Sequence, residues 1–589
     1  MILDRDLTKC DPQDVSLKTF FLGPQAENKE WVLEAVTYLF QQWFSWRENY
    51  FPKDGVAITQ DNRIQTEFVL KQNSLMELLK VLSKRFEDEV PKFTPRYVGH
   101  MFSEFSLPAL MGHILTLLHN PNNISGEASK VGIQIEREAI DDLCKMVGWN
   151  SSEGTGHFTS GGTIANFESL LRAKNRLYLW LGLGTYLKEK RLSDHTLFQF
   201  AQMGWEQFDL ELSRINNADF TQWKEQWLVN PIRFANHVSQ IFQVTFEGPV
   251  LLVPQSKHYS WPKGTQLLGM GSDRLVPINL TQEGRMDVNH LKEVIEMCKM
   301  QNLPIAGVVS VAGTTELGTI DPINEINDEL KNQTEQGYYF WHHVDAAYGG
   351  FLCSMIGMEP EDGFSNLLNK LKAIRFVNSV TIDPHKLGYV PYSSGVILVQ
   401  NPREYAYQDI QAPYIQFNAS NDVGLQTLEG SRSAAGAVAT WLTERSIGLN
   451  PEGYGRLLAR TISVRKLIAS KLNQASSKFV IVPGLDTNVL CFCVVLPGDS
   501  LSQINQRVQE IYNQFSPNAK APFIFSKTQI KTKNYGPLIE AIIKKHEIKD
   551  DTDELFLLRL CLMNPFMVSK ETNISYTDEL IQALKSAIE

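Results

Sequence analysis

The spacing of apolar and polar residues changes along the chain and divides it into three parts. Residues 1–105 begin with an aromatic-rich helical pattern, WVLEAVTYLFQQWFSWRENY. Residues 106–435 alternate helical pattern with short Val- and Ile-rich runs that end in Gly- or Thr-rich turns. Residues 436–589 start with a long helical pattern and continue as a mixed tail. We therefore predict an α/β fold with a helical N-terminal segment, a large domain built on a mostly parallel sheet, and a smaller α+β C-terminal domain.

Six strand-like runs lie in the central part, and two more in the tail. The central runs are PVLLV (249–253), RLVPINL (274–280), IAGVVSV (305–311), YYFWHHVD (338–345), SVTID (379–383) and GVILV (395–399), and the tail contains FVIVP and VLCFCVVLP. The stretch from about 176 to 246 predicts helices outside the active site. Ligands of such sheets bind at the carboxyl ends of the strands, so the residues that follow each run are the candidates for chemistry.

Charge and cysteine content exclude several classes of function. The chain has 56 Lys and Arg against 66 Asp and Glu, a net charge of −10, and no basic block, so we expect no nucleic-acid partner. The start MILDRDLTKCDPQD is acidic and no apolar run approaches the ~20 residues of a membrane span, so we expect a cytoplasmic protein without a membrane partner. Seven scattered cysteines predict free buried thiols, and we expect no metal site.

The stretch HFTSGGTIANFESLL is a candidate phosphate site. Gly161, Gly162 and Thr163 precede a helical pattern, and small residues at a helix N-terminus let backbone N–H groups approach a phosphate. The Thr163 hydroxyl is a further donor. An ordinary helix cap is the alternative explanation of the same pattern.

Two residues beyond other strand ends could contact a flat ring. His258, in LLVPQSKHYSW, could stack on an aromatic cofactor, although a lone histidine is more often an ordinary structural residue. Asp345, in FWHHVDAAYGG, follows an apolar run in which an ionised carboxylate is costly without a partner. A carboxylate next to a pyridine nitrogen would keep that nitrogen protonated, and a buried salt bridge to an arginine is the alternative.

Lys386 interrupts an apolar stretch at TIDPHKLGY, beyond the end of another predicted strand. We expect burial to lower the pKa of its amine and make it a nucleophile for a Schiff base. Most lysines are solvated surface residues. Here, however, the phosphate site, His258, Asp345 and Lys386 lie at four strand or helix ends, and together they are hard to explain as coincidence.

These motifs resemble those of pyridoxal-phosphate-dependent group II amino-acid decarboxylases. HVDAAYGG and DPHK are highly specific to that group, and GGTIAN and GTTELGTIDP also fit it. LGPQAENKEW, PRYVGHMFSE, LVPQSKHYSW, TIDPHKLGYVPYSSG and LEGSRSA resemble bacterial tyrosine decarboxylases in particular. The resemblance covers most of the chain and implies a fold-type I pyridoxal-phosphate-dependent transferase-like fold with pyridoxal 5'-phosphate (PLP) as cofactor.

The resemblance also implies roles for individual residues. Lys386 would bind the cofactor covalently, Asp345 would pair with its pyridinium nitrogen, His258 would stack on the ring, and Ala347 would pack beneath it. Tyr414, in QDIQAPYIQFNASND, matches a tyrosine of a mobile loop that protonates the reaction intermediate. The remaining cofactor contacts would be the phosphate ligands Gly162 and Thr163 with His385 beside them, and Thr315 near the ring substituents.

The implied substrate is an aromatic L-amino acid, with tyrosine first and L-DOPA second. His100 matches a segment that lines the substrate pocket, and Tyr392 resembles a pocket tyrosine of the tyrosine enzymes. Asp383 departs from the asparagine of animal and plant aromatic decarboxylases, so no phosphate contact is assigned to it. The family further implies a homodimer.

Other functions remain open at the level of sequence. They are decarboxylation of glutamate or aspartate, carbon–carbon lysis of a phosphorylated amine, oxidative deamination by an aromatic aldehyde synthase, and a non-catalytic binding or scaffold role. Intact Lys386, Asp345 and His258 argue against the last of these, and Tyr414 favours simple decarboxylation over deamination.

Overall fold

The computed structural model describes residues 12–150, 153–359, 363–405, 423–569, 571 and 573–588. The N-terminal part is helical and contains α1 (Pro12–Lys18), α2 (Lys29–Tyr50), α3 (Gln60–Ile64), α4 (Thr66–Phe86), α5 (Leu107–His119) and α6 (Lys130–Met146). Ser106 caps α5, because its Oγ accepts the backbone N–H of Ala109, and Pro108 occupies the first turn, where a missing N–H costs nothing. Residues 87–105, between α4 and α5, are not helical.

A seven-stranded sheet forms the centre of the molecule. Its strands are β1 (Thr155–Thr159), β2 (Val250–Pro254), β3 (Leu275–Ile278), β4 (Ile305–Val311), β5 (His342–Ala346), β6 (Ser379–Ile382) and β7 (Gly395–Val399). The spatial order is β1-β7-β6-β5-β4-β2-β3. All neighbouring pairs from β6 to β3 are parallel, and β7 pairs antiparallel with both β6 and β1. The predicted α/β class with a mostly parallel sheet is confirmed.

This topology brings several strand ends to one edge of the sheet. Strands β1, β2, β4, β5 and β6 run in the same direction, so their carboxyl ends lie side by side. Strands β2, β4, β5 and β6 are completely buried, which explains their nearly continuous apolar sequences. We refer to this edge as the ligand edge, where a doubly covered sheet binds its ligands.

Helices cover the sheet and connect its strands. They are α7 (Gly162–Glu189), α8 (Leu197–Ala201), α9 (Gly204–Ser213), α10 (Asn217–Trp227), α11 (Pro231–Phe242), α12 (Ser260–Leu267), α13 (Val288–Met300), α14 (Ile323–Glu335), α15 (Ser365–Lys372) and α16 (Pro402–Tyr405). The second half of α7 packs with α8–α11 around its own aromatic-rich core, which includes Trp180, Phe200, Phe220 and Phe234. The helices predicted for residues 176–246 are therefore present.

A second sheet lies in the C-terminal part. After α17 (Ala435–Ile447) and α18 (Arg456–Ala475) come β8 (Phe479–Ile481), β9 (Val489–Val494), α19 (Leu501–Gln514), β10 (Ser526–Lys531), α20 (Thr532–His546), β11 (Glu554–Cys561) and α21 (Tyr576–Ile588). The four strands are antiparallel in the order β10-β11-β9-β8. One buried apolar cluster contains residues of both sheets, for example Val344 and Leu490. The predicted domain boundaries near 105 and 435 stay a prediction.

The structure corrects the sequence-based strand assignment at five strands. The run 338–345 is a strand only from His342, and the run 274–280 only from Leu275 to Ile278. β1, with the sequence TGHFT, was not predicted, because its two threonines, glycine and histidine carry little apolar signal. β10 and β11 were not predicted either. None of the helices formed by the described residues has the length and apolarity required to cross a membrane.

Candidate active site

A cavity of about 340 Å³ opens at the ligand edge of the large sheet. Its walls come from the start of α7, from the segments that follow β2, β4 and β6, and from the end of β5. Eight of the residues assigned to the cofactor line it, namely Gly162, Thr163, His258, Thr315, Asp345, Ala347, His385 and Lys386. The structure therefore brings together residues that are up to 224 positions apart in the sequence, between 162 and 386.

The start of α7 forms one wall, and only glycine fits there. A Cβ atom on Gly162 would lie 2.8 Å from Oδ2 of Asp383 and 3.0 Å from the Cβ of Ala347. A Cβ on Gly395 of β7 would lie 2.4 Å from the Cα of Gly161. Because side chains are absent at these positions, the helix N-terminus, with its free backbone N–H groups, comes close to the cavity. These groups and the Thr163 side chain suit an anion such as a phosphate.

Asp345 lies at the end of β5 with its carboxylate almost fully buried. Its Oδ2 accepts hydrogen bonds from Nδ2 of Asn166 at 2.8 Å and from Nε1 of Trp261 at 3.1 Å, and Oδ1 accepts the backbone N–H of Ala347 at 3.4 Å. These donors are all neutral, so the described contacts do not support the alternative of a structural salt bridge to an arginine. The negative charge of Asp345 is available to a cationic group in the cavity.

His258 follows β2 and faces the same cavity. Its Nδ1 lies 2.9 Å from Oγ of Ser260 and receives the backbone N–H of Ser260 at 3.3 Å. Burial lowers the pKa of His258, while the charge of Asp345 opposes that shift. The ring is therefore neutral near pH 7, which suits stacking on another flat ring.

Lys386 pairs with Asp383, three residues earlier. Its Nζ lies 3.0 Å from Oδ2 of Asp383, and 22% of the lysine side chain is exposed. Burial lowers the pKa of Lys386, but the carboxylates of Asp383 and Asp345 outweigh burial and leave the pKa above its usual value. The predicted lowering of this pKa is wrong, because the sequence argument counted the burial of the amine and not its nearby carboxylates.

Asp383 is a cavity residue that sequence reasoning left without a role. Its side chain is buried, and Nε2 of His385 lies 3.5 Å from its Oδ2. Its Oδ1 has no hydrogen-bond partner among the residues that the structure describes. The Oγ of Ser256, another buried cavity residue, is likewise unpaired within that part of the chain. Two unpaired polar atoms in one cavity mark positions where a polar ligand would bind.

The two residues assigned to the substrate lie beside this cavity and not in its wall. The ring of Tyr392 packs on His385 with centroids 4.2 Å apart, and Phe102 contacts Tyr392 edge-on at 6.3 Å. His100 contacts Phe102 at 5.9 Å, and Tyr97 stacks on Phe102 at 5.7 Å. His100 and Tyr392 thus belong to one group of rings, which we call the aromatic group (Tyr97, His100, Phe102 and Tyr392).

Other residues of the site were not assigned a role from the sequence or lie outside the described residues. Asn166 contacts Asp345, and Ser260 contacts His258, but both belong to ordinary helical patterns.

Arg559 of β11 is 4% exposed, and its Nε has no partner among the described groups. Burial lowers the pKa of His100, and the positive charge of Arg559 lowers it further. Tyr414 lies outside the described residues.

The donor set fits PLP. The cofactor has a phosphate, a pyridine nitrogen and an aldehyde, and the cavity offers a helix N-terminus, a buried carboxylate and a lysine amine. His258 and Ala347 offer the flat and small surfaces that a ring requires. No group of three or more His, Cys, Asp or Glu side chains that could hold a metal ion occurs in the described part of the chain.

Family models match most of the second half of the chain. A model of the pyridoxal-dependent decarboxylase conserved domain matches residues 236–495, which include His258, Asp345 and Lys386. Residues 236–495 therefore form a pyridoxal-dependent decarboxylase domain. A second model, of the C-terminal region of tyrosine decarboxylase, matches residues 466–588.

Similar proteins extend this match to nearly the whole chain. A protein of Enterococcus faecium named L-tyrosine decarboxylase is 29% identical over 98% of this chain and 99% of its own length. A protein of Enterococcus faecalis with the same name is 28% identical over 98% of both. The decarboxylase is therefore a PLP-dependent enzyme that acts on an amino acid.

Solved structures show the same fold at low sequence identity. Mouse CSAD in apo form matches 94% of this chain and 99% of its own with a TM-score of 0.62 and 18% identity. Oryza sativa TDC, solved with PLP and tryptamine, matches 95% of this chain and 98% of its own with a TM-score of 0.62 and 14% identity. The predicted fold-type I architecture is confirmed.

Proposed function

We propose that this decarboxylase converts L-tyrosine to tyramine and CO₂, with L-DOPA as a second substrate. The observation that carries the proposal is the aromatic group, which lies against His385 at the edge of the cofactor cavity. Aromatic rings there can pack on a phenol side chain in edge-on or stacked geometry. The Enterococcus relatives named L-tyrosine decarboxylase, which align over nearly the whole chain, support the same substrate.

Four residues would hold the cofactor and prepare it for chemistry. Lys386 would bind it covalently, Asp345 would face its pyridine nitrogen, and His258 would cover one face of its ring with Ala347 beneath the other. When bound, PLP supplies an electron sink for the pair of electrons that remains when CO₂ leaves. With the cofactor bound, the carboxylate of Asp345 would favour a protonated pyridine nitrogen, because an anion nearby favours the cationic form.

The anion end of the cavity would take the phosphate. Gly162 and Thr163 present the N-terminus of α7, His385 lies beside them, and Thr315 lines the wall that follows β4. Because a helix N-terminus carries partial positive charge, it offsets part of the repulsion between the phosphate and the nearby Asp383.

Arg559 is our candidate for binding the substrate carboxylate. Its buried guanidinium donates from Nη1 to Oγ of Ser526 at 3.2 Å, while Nε lacks a partner among the described groups. A buried guanidinium with a free N–H favours an anionic ligand. Its charge acts on the pKa values of His100 and Tyr97 of the aromatic group and of Tyr348 of the cavity wall, so Arg559 lies near both.

Tyr414 is our candidate for the acid that protonates Cα after CO₂ has left. Its position lies outside the described residues, so the proposal rests on the sequence motif alone. A phenol with an ordinary pKa near 10 is protonated at neutral pH and can donate once it is at hydrogen-bond distance. Loss of this donor would favour the oxidative deamination that an aromatic aldehyde synthase performs.

Aspartate is the alternative to an aromatic substrate. A protein of Aliivibrio fischeri named aspartate 1-decarboxylase is 25% identical over 80% of this chain and 77% of its own length. Aspartate carries a second carboxylate, which would have to be placed next to the aromatic group. We therefore rank it below tyrosine.

A panel of L-amino acids tests the substrate directly. With saturating PLP, we expect kcat/KM for amine and CO₂ release to be at least about 10-fold higher for tyrosine than for aspartate or glutamate. The variant Tyr392→Phe keeps the ring that packs on His385 and removes only a hydroxyl, so we expect a smaller preference for tyrosine over phenylalanine. A higher kcat/KM for aspartate or glutamate than for tyrosine would reject the proposal.

We also propose that the enzyme is a homodimer. Helices α2 and α4 contain no buried residue, although they are rich in large apolar side chains such as Leu33, Phe44, Trp46, Leu79 and Leu82. An apolar surface of this extent marks an interaction site, and a second copy of the chain is the partner that is always present.

A cytoplasmic location is consistent with the cysteines. The six cysteines in the described part of the chain are free and buried. Free thiols persist in reducing compartments, so we propose that the enzyme acts in the cytoplasm.

A further inference from the structure

Asn166 lies between two residues that face the cofactor cavity, Asp345 and His258. It belongs to the first turns of α7, lines the cavity and is only 2% exposed. Its Nδ2 lies 2.8 Å from Oδ2 of Asp345 and 2.9 Å from Oγ of Ser260. An amide nitrogen carries two hydrogens, so Asn166 donates to both oxygens at once.

His343 determines the orientation of this amide from the other side. Burial lowers the pKa of His343 to about 3, so the ring is neutral and carries one N–H. Its Nε2 lies 3.3 Å from Oδ1 of Asn166, and its Nδ1 lies 2.8 Å from Oγ of Ser379. Oδ1 is a carbonyl oxygen and can only accept, so Nε2 of His343 is the donor in this contact. The same Nε2 also lies 3.3 Å from Oγ1 of Thr381.

The same reasoning determines the tautomer of His258. The Oγ of Ser260 accepts a hydrogen bond from Asn166, so its own proton is free to be donated to Nδ1 of His258 at 2.9 Å. The backbone N–H of Ser260 also points at Nδ1, at 3.3 Å. Nδ1 therefore accepts hydrogen bonds, and the proton of the neutral ring is on Nε2.

Asp345 receives the other end of this chain of hydrogen bonds. Two donors, Asn166 and Trp261, converge on its Oδ2 and hold the plane of the carboxylate. Trp261 and Ser260 are neighbours in α12, so one helix supports both Asp345 and His258.

We propose that Asn166 and Ser260 are positioning residues that connect Asp345 to His258. Asn166 donates to Asp345 and orients its carboxylate. Asn166 also donates to Ser260, whose hydroxyl then donates to Nδ1 of His258 and keeps the ring proton on Nε2. The inference rests on the roles proposed above for Asp345 and His258. It requires neither residue to touch the substrate.

The test compares Asn166→Ala and Ser260→Ala with the parent enzyme at saturating PLP. We expect kcat to fall about 100-fold in Asn166→Ala and about 10-fold in Ser260→Ala, with a smaller change in KM, as for other residues that orient active-site groups. The pH dependence of the bound cofactor's absorbance should shift in both. The charged groups that act on His258 are Asp345, Lys386, Asp383 and Lys263, and both variants retain them.

Two comparisons make the result decisive. Thr185→Val is the matched control, because Thr185 is a buried polar residue of α7 whose hydroxyl donates to the carbonyl of Leu181 at 2.7 Å, within its own helix. It should leave both kcat and the absorbance profile unchanged. If Asp345→Asn loses turnover while Asn166→Ala and Ser260→Ala keep parental kcat and absorbance, the inference is wrong. If Asp345→Asn itself keeps turnover, the proposed role of Asp345 fails instead.

Discussion

At the scale of single residues, the pair Lys386 and Asp383 determines how readily the lysine acts as a nucleophile. The amine must lose a proton before it can attack, and a carboxylate 3.0 Å away favours the protonated form. Asp383 therefore orients the lysine at the cost of part of its reactivity.

We predict that Asp383→Asn lowers the pKa of Lys386. Burial, which favours the neutral amine, would then be opposed mainly by Asp345. The measurement is the pH dependence of reductive methylation of Lys386 in the cofactor-free protein, read by peptide mass spectrometry. The midpoint should move to lower pH, whereas in the control Asp209→Asn, which removes an exposed ion pair with Arg403, it should stay in place. An unmoved midpoint in Asp383→Asn would contradict the account.

We predict that Glu444→Gln stabilises the protein at pH 8 but not at pH 4. Glu444 is 4% exposed, and its carboxylate has no hydrogen-bond partner among the described residues. Burial, reinforced by Asp142, raises the pKa of Glu444 well above its usual value. The folded protein therefore loses stability as the pH rises from the unfolded pKa, about 4.3, through the raised folded pKa, and the glutamine variant avoids this loss.

Urea unfolding of both proteins at the two pH values measures this effect. Below the unfolded pKa the carboxyl is protonated in both states, so the two free energies of unfolding should be equal. An equal difference at pH 4 and pH 8 would show that Glu444 acts through packing and not through its charge.

At the scale of elements, the sequence predicted the residues that line the cavity better than the residues and strands that hold them in place. Four site residues lie at a strand end, just after one or at the start of a helix, so the topology of a parallel sheet brings them together. They are Gly162, His258, Asp345 and Lys386. The partners Asn166 and Ser260 could not be predicted, because their contacts depend on how α7 and α12 pack against β5. β1 was missed because pairing with β7, and not its own composition, makes it a strand.

We predict that Phe234→Ala destabilises the protein by about 3–5 kcal/mol and leaves kcat unchanged. Phe234 of α11 is fully buried in the aromatic-rich core that α8–α11 form with the second half of α7. That core lies apart from the cavity at the ligand edge, as its lining residues show. Chemical unfolding and steady-state kinetics at 20 °C check the two statements separately, and a large fall in kcat of the folded variant would contradict the second.

At the scale of the whole molecule, helices α2 and α4 expose the apolar surface that we propose as the dimer interface. Apolar side chains that cover nothing within one chain are stabilised when a second chain covers them. The family models begin at residue 236, whereas the relatives of Enterococcus align over nearly the entire length, helices α2 and α4 included.

We predict that the double variant Leu79→Glu and Leu82→Glu dissociates the enzyme. Two charges on the exposed face of α4 would have to be buried in the dimer, which is costly without partners. Sedimentation should give twice 66.8 kDa for the parent and 66.8 kDa for the variant. Ile232→Glu, an exposed position of α11, is the control and should remain a dimer. A parent that sediments as a monomer would contradict the proposed homodimer.

The central claim is that the cavity at the ligand edge holds PLP through Lys386. The most direct measurement is borohydride reduction of the purified PLP-loaded enzyme, followed by digestion and mapping of the modified lysine by mass spectrometry. We expect the cofactor mass on the peptide that contains Asp383 and Lys386, and no labelled peptide in Lys386→Ala, which should still fold. Labelling of a different lysine in the parent, or turnover retained by Lys386→Ala, would contradict the account.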